Sequence, residues 1–252
     1  MSQAEPLYNR TGSGYAKERR PDPRLARPIS EALGSARTVL NVGAGSGSYE
    51  PRDRYVLAVE PSATMRGQRP TALPPALDAV AESLPLDDDC VEAAMALLTV
   101  HHWSDSLAGL REMRRVSRGP VVILTFDVEV EAKNWLARDY VSEIISDNRR
   151  RFLEPAAIAE ILGRASILEI PVPGDCSDGF FEAFLTRPEA YLRSEVRKAQ
   201  SGWHQLGREI EQRAVAHLAK DLASGAWDER YGHWRERPSY DGGLRLVVSS
   251  PS

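Results

Sequence analysis

In the segment TVLNVGAGSGSYE, Thr38 to Glu50, a run of β-formers ends on three closely spaced glycines, Gly43, Gly45 and Gly47. Glycines at such a point let the chain leave a strand by a turn that other residues resist, and let backbone N–H groups come close to a ligand. On either side of this segment strands and helices alternate. RLARPISEALG sets Leu25, Ile29 and Leu33 on one helical face and stops at Gly34. RYVLAVE is an apolar strand ending on Glu60, followed by Pro61 and Ser62 at a helix-opening position. PALDAVAE reads as a third strand and CVEAAMALLTV as a fourth, although its alanines also suit a helix. DSLAGLREMRRVS is amphipathic, and GPVVILTF is a buried strand. Nearly continuous apolar strands alternating with helices mean a parallel sheet covered on both faces.

After FLEPAAIAEILG and a strand at SILEIPV the chain turns helical and polar, and strand character returns only at GLRLVVSS. GREIEQRAVAHLAKDLA carries Ile210, Ala214, Leu218 and Leu222 at helical spacing. The expectation is a single domain over 1–252, with a helical cap inserted over 172–241 before the last strand. The 252 residues are 42% hydrophobic, enough for such a core. Charged residues make up 27% with both signs mixed and a net charge of −4, so there is no basic footprint for nucleic acid. Neither a leader-like apolar stretch nor a run long enough for a membrane span is present, and a cytoplasmic protein acting on small molecules is expected. Cys90 and Cys176 suggest neither a disulfide framework nor a metal cluster.

The glycines narrow the ligand. A dinucleotide fingerprint, G-x-G-x-x-G, needs glycine at its sixth place, where Ser48 stands, and no Gly-Lys-Ser/Thr follows for a P-loop. Both a nicotinamide oxidoreductase and a P-loop enzyme are disfavoured. Glu60, at the end of the next strand, is a carboxylate able to accept both hydroxyl protons of a ribose. The alternative for Glu60 is a charge placed at a helix N-terminus before Pro61.

VLNVGAGSGSYE, LAVEPSATM, AVAESLPLDDDCVEAAMALLTVHHWSD and LREMRRVSRGPVVILTF, in that order and spacing, resemble the class I S-adenosylmethionine-dependent methyltransferases of the methyltransferase type 11 group. The resemblance covers Thr38 to Phe126. It implies a Rossmann-like, doubly wound α/β sheet of seven strands with the last antiparallel, and S-adenosyl-L-methionine as cofactor. By the same resemblance Gly43, Ala44 and Gly45 lie beside the methionine part of the cofactor and Glu60 on the ribose hydroxyls. Pro61, Ser62 and Met65 line the ribose and adenine, Ala81 and Glu82 close over the adenine, and Thr99 and His101 face the sulfonium and the substrate. Two positions depart from the family: Asn41 stands where an acid is usual, and Val80 where an aspartate often reaches the adenine amine.

Methyl transfer from a sulfonium is an in-line displacement, so the protein must align a nucleophile and exclude water, with a base only where the nucleophile starts protonated. TVHHWSD lies where a parallel sheet places its ligands. If the strand continues, His101 and His102 point to opposite sides; the resemblance favours His101 as the catalytic one, and the alternative makes both packing residues beside Trp103. A metal role is weaker, because His204, His217 and His233 lack ligand spacing. The resemblance implies that the segment 1–24 folds over the site as a lid and brings Tyr15 to it as a second catalytic candidate; the alternative is a frayed, solvated basic terminus. Arg19, Arg20 and Arg24 would favour an anionic acceptor if they face the pocket; NRRRF, Asn148 to Phe152, is either part of that field or a solvated helix end. His102, Trp103, Trp135 and Tyr140 are the substrate-side candidates, whereas Phe180, Phe181, Phe184 and Tyr191 recur at a spacing that suits core packing. A non-catalytic cofactor-binding protein, motivated by Asn41 and Val80, stays open as the alternative to an enzyme. No motif speaks to the acceptor's identity or to the oligomeric state.

Overall fold

The computed structural model describes residues 19–250. Helix α1 (Pro23–Ala32) opens with Asp22, whose carboxylate accepts from the Arg24 amide at 2.9 Å, and with Pro23, whose missing N–H costs nothing there. Strands β1 (Thr38–Val42) and β2 (Tyr55–Val59) follow, then helix α2 (Ala63–Gly67), strand β3 (Ala93–Leu97), helix α3 (Ser106–Val116) and strand β4 (Val121–Phe126). Helices α4 (Val128–Glu131), α5 (Trp135–Asp139), α6 (Glu143–Arg151) and α7 (Pro155–Leu162) lead to β5 (Ala165–Glu169). A two-stranded ribbon, β6 (Val172–Pro173) with β7 (Ser239–Tyr240), brackets α8 (Ser194–Lys198), α9 (Ser201–Leu206), α10 (Arg208–Ser224) and α11 (Ala226–Tyr231), and β8 (Leu244–Ser249) closes the order.

The six-stranded sheet runs β2-β1-β3-β4-β8-β5, parallel except for β8, which is antiparallel to both of its neighbours. The strand expected over PALDAVAE is a single parallel bridge, Leu77 with Val59, at the outer edge of β2. Pro74 and Pro75 precede it without N–H groups, so the ladder has little to extend with. Alternation is apolar on both faces. On β4, Val122, Leu124 and Phe126 join one core with α1 and the helical block, while Val121 and Ile123 join the other with α3 and α7. The alanines that made β3 ambiguous are accounted for by its central place, where Ala93, Ala94 and Ala96 are fully buried under cover on both faces.

Trp135 and Tyr140, expected near the acceptor, are instead packing residues of the helical block. Trp135 is 1% exposed, its Nε1 donates to the Leu185 carbonyl at 2.9 Å, and the Tyr140, Tyr191, Trp227 and Tyr231 rings surround it. The Tyr140 hydroxyl donates to Asp221 at 2.8 Å, fastening α5 to α10. No helix among the described residues is long and apolar enough to cross a membrane.

Asn41, the departure in β1, has a local explanation. Its Nδ2 donates to Glu50 Oε1 at 2.9 Å, and the same carboxylate takes two bonds of 3.0 Å from the Arg69 guanidinium. The acid absent at position 41 is supplied nine positions later by the turn that leaves the glycine segment. Both partners of the pair are out of water, at 3% and 0% side-chain exposure, and an aspartate at 41 would set a second carboxylate against the first.

Two substitutions test this packing. Trp135→Ala should destabilise the fold by about 3–5 kcal/mol, read from the denaturant midpoint at unchanged slope. Glu50→Gln strands the buried Arg69 charge and should cost about 3–5 kcal/mol in the same measurement; a loss well under 1 kcal/mol would mean that the pair is reached by water.

Candidate functional site

The site is built where β1, β2 and β3 end. Gly43 turns the chain at φ 66°, and a Cβ there would overlap the Thr99 side chain, so the loop after β1 lies directly on the segment that follows β3. Ala44 donates to the Val59 carbonyl at 2.9 Å. The Gly45 amide donates to Glu60 Oε2 at 2.8 Å, and Pro61 has no amide to offer, so Glu60 Oε1 takes the next one, Ser62, also at 2.8 Å. Glu60 is 7% exposed. Burial raises its pKa, against the two amide bonds that favour the charged form. Each carboxylate oxygen holds one amide and keeps lone-pair capacity for another donor, which is what the vicinal hydroxyls of a ribose need. Ser62 caps α2 through the Met65 amide, and the Met65 methyl group lies against Gly45. Residues 43–45, 60–62 and 65 thus come together as one cradle at the ends of β1 and β2.

Two other expected contacts lie nearby with altered roles. Ala81 is buried in the cluster that holds Trp103, whose ring lies where a Cβ on Gly109 of α3 would go. Glu82 spends Oε1 on the Ser104 amide at 2.7 Å, the Ser104 hydroxyl at 2.8 Å and the Asp105 amide at 3.1 Å. It fastens its loop to the start of α3, so Trp103 and Glu82 act here as structure.

Beyond β3 the strand does not continue. Leu98 adopts φ 54°, and Val100–His102 form a 3-10 turn. The two histidine rings therefore lie side by side, centroids 3.9 Å apart, and not on opposite faces. His101 stacks on Phe152 at 4.0 Å, and His102 Nδ1 is 3.2 Å from an Arg151 nitrogen. Burial, with neighbouring positive charge, holds both neutral: His101 falls well below its ordinary value, and His102 falls to about 3. His101, with Leu98, Phe126 and Phe152, lines a cavity closed from the other side by Phe180 and Glu182 of the 172–241 block. His102, Trp103, Trp135 and Tyr140 are not among its lining.

Arg19 reaches the cavity, but its guanidinium lies 2.6 Å from Asp178, which also accepts from the Tyr49 hydroxyl at 2.8 Å. Arg24 is matched by Asp22 at 2.7 Å and Asp175 at 2.6 Å. Arg149 pairs with Glu129 and Arg150 with Asp147 at the exposed end of α6. Tyr15 and most of the expected lid lie outside the described residues. Sequence reasoning missed Glu50, Arg69, Glu131, Asn148 and Glu182. Only Glu182 carried a signal, as one charge inside the aromatic run GFFEAF.

Comparison with known proteins adds the family. The model of a methyltransferase domain matches residues 40–123. An uncharacterized methyltransferase of Mycobacterium tuberculosis is 35% identical over 109 residues, 40% of this chain and 44% of that protein, so the match spans under half of the relative's length. The crystal structure of a putative methyltransferase from an antibiotic biosynthesis pathway of Anabaena variabilis superposes with a TM-score of 0.86 at 30% identity, over 92% of this chain and 99% of that one. A geranyl diphosphate C-methyltransferase of Streptomyces coelicolor, solved with S-adenosyl-L-homocysteine, shares the fold at a TM-score of 0.52 and 15% identity, over 90% of this chain and 78% of that one. A relative aligned almost end to end and a family match across the glycine segment agree: the chain belongs to the class I S-adenosylmethionine-dependent methyltransferases.

Proposed function

We propose that this protein transfers a methyl group from S-adenosylmethionine to a small-molecule acceptor held in the cavity beside His101. The observation that carries the reading is the Glu60 carboxylate, buried, fixed by the Gly45 and Ser62 amides, and still able to accept two hydroxyl protons. When bound, the cofactor supplies the methyl group and the leaving sulfide. The chain's own residues orient and exclude water: Gly43 to Gly45 form the floor for the amino-acid part, Glu60 takes the ribose hydroxyls, and Ser62, Met65 and Ala81 border the base. Thr99 and His101 bound the space into which the methyl group would point. His101, held neutral, is a hydrogen-bond partner for the acceptor and not a cation opposed to the sulfonium.

The block over 172–241 is proposed as the cap of the acceptor pocket, because Phe180, Phe181, Glu182 and Gln205 all reach the cavity from it. Asn41 does not argue against activity, since Glu50 restores an acid at the end of β1.

Titration calorimetry with S-adenosylhomocysteine tests the assignment. Glu60→Ala should weaken binding by about 1.5–3 kcal/mol, and unchanged affinity would remove Glu60 from the ribose. Burial lifts the Glu60 pKa, and the hydroxyls need the ionised form. Affinity should therefore be full at neutral pH and decline on acidification, from a higher pH than an exposed glutamate would give, with Glu60→Gln flattening that decline. Transfer of label from methyl-labelled S-adenosylmethionine into a metabolite extract separates an enzyme from a protein that only binds the cofactor.

A further inference from the structure

The cavity beside His101 is lined by a pair of acids that cofactor binding does not use. Glu131, at the end of α4, and Glu182 are 1% and 3% exposed, and their carboxyl groups are hydrogen-bonded to one another. The Asn148 amide donates to both oxygens of Glu131, at 3.0 and 2.9 Å. Burial raises the pKa of both acids, and the like charge of Glu131 raises Glu182 further. Two carboxyls in contact cannot both ionise in such a site, so the pair shares a proton and carries one negative charge near neutrality. The proton sits on Glu182 and Asn148 serves the ionised Glu131. Glu182 lines the cavity, and its Oε2 is buried with no donor of the protein bonded to it. Gln205 Oε1, on the same wall, has none either.

The groups facing the pair leave its charge in place. Arg19 is matched by Asp178 at 2.6 Å, His101 is neutral, and burial keeps the Tyr191 and Tyr240 hydroxyls protonated. Phe126, Phe152, Phe180 and Phe181 supply the remaining wall. A desolvated negative charge, two orphaned acceptors and several aromatic faces define a ligand rich in donors and positive in charge. A hydroxyl donates once and would leave one acceptor unpaired; an ammonium donates two or three times. The cavity, about 60 Å³, exceeds the roughly 10–15 Å³ that one water needs by the same kind of measure, so a small polar head group has room there.

Building on the methyltransferase reading, we infer that the acceptor is a primary or secondary amine that enters as its ammonium ion, held by Glu182 and Gln205, with the Glu131–Glu182 pair as its base. The ammonium gives one N–H proton to the ionised carboxylate, leaving a neutral amine and a fully protonated pair. The nitrogen lone pair forms the N–C bond to the methyl carbon as the carbon–sulfur bond breaks, with its electron pair staying on sulfur. The products are an N-methylated ammonium and a neutral thioether, and the pair returns its extra proton to water.

The test uses the full chain, methyl-labelled S-adenosylmethionine and a metabolite extract separated by ion exchange into cationic, neutral and anionic fractions. Label should enter the cationic fraction. Glu131→Gln, which removes the ionised carboxylate and keeps a hydrogen bond to Glu182, should lower that turnover by roughly 10²-fold or more, leave S-adenosylhomocysteine affinity unchanged, and abolish the rise of rate with pH that marks ionisation of the pair. Label only in the neutral or anionic fractions overturns the inference while methyl transfer stands. No label in any fraction, with cofactor bound, tells against methyl transfer itself. An infrared measurement then decides the pair separately: the protonated-carboxyl stretch absent in Glu182→Gln should shift when methylammonium chloride, but not methanol, is added to the S-adenosylhomocysteine complex. An unmoved band, or equal response to both probes, overturns the ammonium site.

Discussion

A carboxylate taken out of water must be given hydrogen bonds, and at the end of β2 Glu60 is given two, by amides of two different segments. The rest of the cofactor half depends on that exchange. Gly45 can present its N–H only because Gly43 has turned the chain, and Gly43 can turn there only because nothing larger than hydrogen lies between it and Thr99. The tails of β1 and β2 are therefore fixed to one another through a single side chain, and the segment after β3 packs on them at Thr99. The cradle is stiff before any ligand arrives, so little ordering remains to be done on binding.

Buried charge elsewhere around the glycine segment follows one rule: Glu50 faces Arg69, Asp178 faces Arg19, and Asp22 faces Arg24. Glu131 and Glu182 break it, with an acid facing an acid, neutral amides and aromatic rings around them, and the nearest cation, Arg19, bonded to Asp178. The break occurs on the wall of the cavity. Around the glycine segment the acids that brace the fold have cations of the chain beside them, and the pair on the cavity wall has an acid instead.

The half of the molecule that holds the cofactor was legible because its constraints are local. A turn of glycines after a strand, an acid ending the next strand and a helix opening on Pro61 and Ser62 are read within a few residues, and the structure brings them together. The acceptor half was less legible because its contacts join distant segments. Trp135 and Tyr140 follow β4 closely in sequence, yet their rings are claimed by Leu185, Trp227 and Asp221. Glu131 meets Glu182 across 51 positions, and in VEVEAKNW nothing separates it from an exposed helical acid. The geometry of the two histidines turned on one residue, Leu98, whose positive φ ended the strand early, and a leucine gives no local sign of that. Asn41 looked like a defect while its partner Glu50, in the following turn, was unseen.

Strand β8 lies between β4 and β5, and among the described residues β5 has no other partner in the sheet. During synthesis β5 therefore leaves the ribosome with nothing to pair with, and β4 presents an open edge, until the whole helical block and then residues 244–249 have been made. The first three strands and β4 can assemble meanwhile. The acceptor side closes last, in one late step that joins two edges at once, and for that interval the nascent chain carries two unpaired strands of high β-propensity. A chain stalled or truncated before Leu244 would keep its cofactor half near completion and expose a sticky, unfinished sheet, which is the form that chaperones and proteases would meet.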